Sequence, residues 1–472
     1  MMKCKLGWLM AAVFLFLACE DDTDSGQDQE VDEGPEIIEE DMMEESDVDE
    51  DPQEEADAQE DADDDPAGDV ADEEVSSILD CGLERRTFWT WDLSAMPPAD
   101  VEVEAECVAW GPNVAVYVTD DQWGVNMDET DAEAIVTAFE YATPADAERG
   151  IYPIVTGVFG DPPDVDGDPR IVLLYHSLGS YMGSSFDGFF RSKDEGSCGT
   201  CNHTEMLFLD SVHNDVSGEY MLSIISHEFD HMIQFSHDGD EAAWVSEMLG
   251  EIAMILCGYF TDVSAVNYFA GHPDTPLAVS EFPDYGAVFL FGLYIYEQLG
   301  ETFVSDLADE PANGTAGFDL IAEPLDTDFA MVLADWFVAN FLDDPDVGDG
   351  QYGYVNFELP NMSSTFNEAD GVAEDDTVQG TAADYQLYFA TGPGTLSFDF
   401  ASDDWEDLGL AAMTYPESRE AGDAAVTPIT LTGSTATVDI DVPAGHDRVT
   451  VVVYSTVAAS APYSYSYSAT YE

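Results

Sequence analysis

Tyr220-Met-Leu-Ser-Ile-Ile-Ser-His-Glu-Phe-Asp-His-Met-Ile-Gln-Phe235 places the pattern H-E-x-x-H, His227 to His231, inside an apolar run with helical periodicity. Residues four apart on a helix share a face. His227 and His231 are therefore expected to point two imidazoles at one metal ion. Glu228, next to the first histidine, is expected to reach a water held there. This residue set at this spacing points to the chemistry of a zinc hydrolase.

A catalytic zinc site takes three protein ligands and keeps one position open. Two residues compete for the third place. His237 follows His231 by six positions, the spacing of H-E-x-x-H-x-x-G-x-x-H, but the turn-forming glycine of that pattern is Gln234 here. Glu247 lies in Trp244-Val-Ser-Glu-Met-Leu-Gly-Glu251 on the next expected helix, and Glu251 follows on the same face. One carboxylate of that pair would bind zinc while the other orients a histidine. Glu247 is the preferred third ligand and His237 the alternative. Tyr285, ahead of a further helix, is a candidate second oxyanion donor.

The order of elements around the motif indicates an α+β fold. Short apolar strands are expected at Asn113 to Thr119, Arg170 to Tyr175 and Glu205 to Asp210, with a helix from Asp131 to Tyr141 before the second. Helices follow from Glu241 to Gly258, Gly286 to Leu299 and Phe329 to Leu342. After about residue 375 the pattern changes to turn-punctuated strands, ending in the strict alternation Tyr463-Ser-Tyr-Ser-Tyr-Ser468. That is the signature of a β-sandwich. The expected organisation is a signal over 1–19, an acidic stalk over 20–79, a mixed-sheet metallopeptidase-like domain over 80–360 and an all-β sandwich over 376–472.

The N-terminal region carries its own information. Lys3 and Lys5 precede an apolar run that stops at Leu17-Ala18-Cys19, as in an export signal. A cysteine after Leu-Ala resembles a bacterial lipoprotein signal, although Phe16 stands where leucine is usual. A lipidated Cys19 in the bilayer is the first expectation and plain secretion the second. Residues 20–79 hold 30 acidic residues and no Lys or Arg. Such a segment repels itself and buries too little apolar surface to fold.

From Cys81 onward the chain still has 70 acidic residues against 8 basic ones, a net charge of −62. That field repels nucleic acid and excludes it as a partner. Export implies an oxidising compartment, so Cys198-Gly-Thr-Cys201 is read as a small disulfide and Cys81 with Cys107 as a second pair. Cys257 is left as a buried thiol. Asp164-Val-Asp-Gly-Asp168 is half of a calcium-loop pattern without the final glutamate. An acidic turn is the first expectation there, and a calcium site at Asp164, Asp166 and Asp168 the second.

His-Glu-Phe-x-His-Met-Ile-x-Phe with Trp-x-x-Glu downstream is similar to the hyicolysin-like family of zinc metallopeptidases. The likeness extends to Asp164-Val-Asp-Gly-Asp168, Glu205-Met-Leu-Phe-Leu-Asp210, Tyr285-Gly286 and Trp336-Phe-Val-Ala-Asn340, covering roughly 110–345. It implies a secreted gluzincin-type peptidase with zinc on His227, His231 and Glu247 and Glu228 as the catalytic residue. Asp230 departs from it, being charged where such motifs carry an uncharged residue. Ser246 and Met248 stand where Asn and Gly are common. The expected activity is cleavage of proteins or peptides by a monomer. A non-catalytic surface-binding lipoprotein with the same fold, and a zinc hydrolase of non-peptide amides, are the alternatives.

Overall fold

The computed structural model describes residues 85–472 apart from 96, 182–183, 261–262, 278–281 and 420. The signal, the acidic stalk and Cys81 therefore lie outside the described residues. Cys107 is disulfide-bonded, and Cys198 is joined to Cys201. Cys257 is a buried free thiol.

The chain opens with β1 (Arg86–Asp92), β2 (Ala99–Trp110) and β3 (Val114–Thr119). Helices α1 (Glu129–Glu140) and α2 (Ile151–Phe159) lead to β4 (Ile171–His176). The small hairpin β5 (Ser180–Tyr181) and β6 (Ser184–Ser185) precedes β7 (Gly188–Phe190) and β8 (Met206–Asp210). Six of these strands form one mixed sheet in the order β1-β2-β3-β4-β8-β7. The pairs β3–β4 and β4–β8 are parallel, while β1–β2, β2–β3 and β7–β8 are antiparallel. The three central strands are buried along their whole length. Strands covered on both faces read as continuous apolar runs, which is why these three are plain in the sequence.

Helices then dominate: α3 (Glu219–His237), α4 (Ala243–Leu256), α5 (Val263–Gly271), α6 (Phe282–Leu299), α7 (Glu301–Ala308), α8 (Thr315–Ala322) and α9 (Phe329–Leu342). The motif helix α3 packs on the sheet through Met221, Ile225, Phe229, Met232 and Ile233, all in the main core. Phe229 lies 5.4 Å from the Phe139 ring and 5.6 Å from that of Tyr152, fixing α3 against α1 and α2. Truncating such an aromatic costs about 3–5 kcal/mol.

Residues 85–110 belong to the sheet, although their pattern was silent in the sequence. β2 alternates half-buried valines with exposed glutamates at its start, and glutamate is a poor strand former. Helix α2 carries Pro153, Gly157 and β-branched residues, all poor helix formers. The proline is tolerated because it sits in the first turn, where its missing N–H has no intrahelical partner.

The C-terminal strands are β9 (Thr365–Asn367), β10 (Glu374–Val378), β11 (Ala383–Phe389), β12 (Gly394–Ala401), β13 (Leu408–Tyr415), β14 (Ala425–Ile429), β15 (Thr435–Val442), β16 (Arg448–Ser455) and β17 (Tyr463–Tyr471). They make two sheets, β10-β17-β12-β15 and β14-β13-β16-β11-β9. Phe398, Phe400 and Tyr467 from the first share a core with Leu410, Val451 and Val453 from the second. The opposite face of the second sheet rests on α9. Tyr385 Oη donates to the Phe337 carbonyl at 2.7 Å, and the Phe341 and Tyr385 rings are 4.9 Å apart.

Close to this junction Asp384 carries an electrostatic burden. Burial, then Asp274, and to a lesser degree Asp376 push its carboxyl up to about 8, against the Tyr465 hydroxyl that donates to it at 2.9 Å. A carboxyl raised above its unfolded value near 4 makes folding take up a proton. The stabilisation is complete below that unfolded value and is lost as pH rises toward 8. Asp384→Asn should therefore raise the melting temperature at pH 8 and do little at pH 4, measured by thermal melts at both values. An equal effect at the two pH values would contradict this reading.

Candidate metal centre

Helix α3 is led in by the turn after β8. Asp210 holds that turn, its Oδ2 accepting the amides of Val212 and His213 at 2.9 and 2.7 Å while Oδ1 accepts that of Leu178 at 3.0 Å. From this start, His227, Glu228 and His231 fall on the buried stretch of α3 that faces α4 and β7.

The two imidazoles meet. His227 Nε2 and His231 Nε2 are 3.0 Å apart, with the rings nearly perpendicular at 86°. Glu247, from α4, brings Oε2 to 3.3 Å from His227 Nε2 and Oε1 to 3.8 Å from His231 Nε2. One ligand atom from each of the three lies within 4.8 Å of the others, and all three residues are buried. This group could hold a metal ion. His237 does not belong to it. That residue ends α3 with its Nδ1 3.3 Å from Asp309 Oδ1.

The hydrogen bonds around the group show why a cation suits it. Ser246 Oγ donates to Gln234 Oε1 and lies 3.3 Å from His231 Nδ1. With its hydrogen spent on Gln234, the hydroxyl oxygen accepts from Nδ1, which leaves His231 Nε2 bare. A hydrogen on His227 Nε2 would satisfy that one contact, yet Glu247 Oε2 would remain buried without a hydrogen-bond partner. A cation among the three atoms satisfies all of them. The donor set of two imidazole nitrogens and a carboxylate oxygen is one that zinc takes in hydrolytic sites. Ser246, a departure from the family pattern, thus has a place in the structure. Glu251 Oε1 is 3.9 Å from His227 Nδ1, on the side where an orienting carboxylate would stand.

Glu228 has a partner of its own. Its Oε2 accepts the amide of Phe190, in the edge strand β7, at 2.8 Å. Burial, opposed by His227 and reinforced by Glu247, pushes its carboxyl up to about 7. A divalent cation nearby would draw it down. Burial pushes the Glu247 carboxyl up, opposed by His231 and, less strongly, by the buried Tyr285. Asp230, fully buried, has no hydrogen-bond partner on either oxygen among the described residues, and nothing in the structure explains it.

Sequence reading missed Gly250. A Cβ there would stand 2.8 Å from Cε1 and Nδ1 of His227, so only glycine leaves room for the ring. The signal was present in the Glu247-Met-Leu-Gly-Glu251 spacing, one turn beyond the glutamate and facing α3. Alanine is the better helix former by about 1 kcal/mol. Gly250→Ala should therefore leave α4 intact while displacing His227, weakening zinc binding roughly 10- to 100-fold in a competition titration against a chromophoric chelator. Unchanged zinc affinity would show that the ring has other room.

No protein-family model matches the chain, and no curated protein does. Among solved structures, the pre-peptidase C-terminal domain of collagenase from Bacillus anthracis is 12% identical, covering 23% of this chain and 99% of that one, at a TM-score of 0.18. Legionella pneumophila aminopeptidase A is 9% identical at a TM-score of 0.32, and the match covers 76% of this chain but only 36% of that chain. A family GH115 4-O-methyl-α-glucuronidase gives 8% identity, 65% and 52% coverage and a TM-score of 0.14. Likenesses this low assign neither fold nor activity; what the chain does must be argued from its own site.

Proposed function

We propose that this protein is an exported zinc metallopeptidase of the gluzincin type, with zinc on His227, His231 and Glu247 and Glu228 as general base. The observation that carries the reading is the convergence of two buried imidazole nitrogens and a buried carboxylate, with a second carboxylate engaged by a backbone amide. Bound zinc would supply acidification of a water and polarisation of the scissile carbonyl. The protein's own part is proton handling and positioning. Glu228, steadied by the Phe190 amide, takes the proton of the attacking water and returns it to the leaving amine. His231 keeps its ligating nitrogen bare through the Ser246–Gln234 relay. Tyr285 steadies Glu247.

The choice of peptides over other amides rests on β7. It is the edge of the six-stranded sheet and lies directly beside Glu228. An extended peptide can add to such an edge by main-chain hydrogen bonds, presenting its carbonyls in register to the site. The lysine-flanked apolar run ending at Cys19 supports export, and a lipidated Cys19 would tether the protein to the bacterial envelope through its acidic N-terminal segment. The C-terminal sheets read as a β-sandwich appended to a zincin-like domain.

Glu228→Gln keeps the amide contact and the ligand set but removes the base. It should retain one zinc per chain and lose about 10²- to 10⁴-fold in casein hydrolysis. Zinc-loaded protein whose cleavage does not depend on Glu228, or which cleaves nothing, would overturn the enzymatic reading in favour of a binding protein with a peptidase-like site.

A further inference from the structure

A second group of acidic side chains converges far from α3 in sequence. Asp164 and Asp166 stand in the exposed turn ahead of β4, and Glu205 immediately precedes β8. One carboxylate oxygen from each lies within 4.8 Å of the others. β4 and β8 are neighbouring parallel strands with Val172 opposite Met206, so the group sits at their shared N-terminal end. Asp164 and Asp166 also shape the turn, accepting the amides of Gly167 and Asp168 at 2.8 Å each. Exposed carboxylates of this kind need no ion.

Glu205 differs. It is only 1% exposed. Its Oε1 accepts the Val165 amide, but its Oε2 is buried with no hydrogen-bond partner. An anionic oxygen in that state is costly unless a cation meets it. Arg170, on the same turn, is turned to Asp168, which takes its Nε at 2.7 Å and also its Nη2. A second carboxyl, Glu195, also has an Oε1 buried without a hydrogen-bond partner among the described residues.

We propose that Asp164, Asp166 and Glu205 bind one calcium ion that ties the turn before β4 to the start of β8. The site departs from the calcium loop expected over Asp164, Asp166 and Asp168: Asp168 is committed to Arg170, and a residue about 40 positions downstream takes its place. Three carboxylates bring up to six oxygens, and water completes the sphere. Calcium accepts such an irregular, partly exposed set, whereas magnesium demands near-octahedral geometry. The ion supplies Glu205 Oε2 with the partner it lacks and braces the two parallel strands that lead to the α3 entry turn.

The test uses the full chain at physiological salt, with calcium alone added and binding followed by calorimetry and by thermal melting. Because so acidic a chain also collects calcium diffusely, the comparison between variants carries the result. Wild type and His227→Ala should show the same saturable calcium site and the same rise in melting temperature. Glu205→Gln should weaken that site by at least about tenfold. Asp164→Asn combined with Asp166→Asn, both exposed and therefore safe for folding, should do the same. The proposal is overturned if wild type shows no saturable site, if the double variant binds calcium as tightly as wild type, or if His227→Ala abolishes the site.

Discussion

Two buried imidazole nitrogens held 3.0 Å apart cannot both turn lone pairs toward each other. Something positive must lie between them or one must carry a hydrogen. The Ser246–Gln234 relay and the Glu247 Oε2, buried without a hydrogen-bond partner, make a cation shared by three residues a good fit to the group. Much of the surrounding architecture reads as the means of keeping those atoms together. Helix α3 carries two of them one turn apart, α4 carries the third, and Gly250 lets the helices approach closely enough for the His227 ring to fit. Phe229 pins α3 to the layer beneath it.

The sheet contributes to the same arrangement from the other side. Its edge strand β7 donates a main-chain amide to Glu228, a partner distinct from those of the neighbouring His227. The roles proposed for the neighbouring Glu228 and His227 call for distinct partners, and Phe190 and Glu247 stand beside them. The acidic clusters at Asp164–Glu205 and at Asp384 show the reverse situation, where like charges gather and the fold bears an electrostatic cost. A chain so rich in acids has few basic residues with which to neutralise them.

How much was legible in the sequence follows from physics at particular positions. The central strands, α3, α4, α6 and α9 announce themselves because burial on two faces or along a stripe leaves an apolar pattern. The convergence of Glu247 with His227 and His231 was legible from the helical spacing of Trp244 to Glu251. The leading hairpin was not, since its glutamates are poor strand formers, nor was α2, whose Pro153 and Gly157 speak against a helix that only packing stabilises. Glu205 joined Asp164 and Asp166 without warning, because a parallel strand pair brings together residues about 40 apart that no local motif connects. Gly250 and the Ser246 relay needed coordinates, as both depend on the distance between two helices.

The central claim is that His227, His231 and Glu247 together bind one metal ion. X-ray absorption spectroscopy on the zinc-loaded protein tests it most directly. The account predicts two imidazole nitrogens at about 2.0–2.1 Å and carboxylate and water oxygens at about 2.0–2.2 Å. A first shell with three imidazoles, or one containing sulfur, would contradict it.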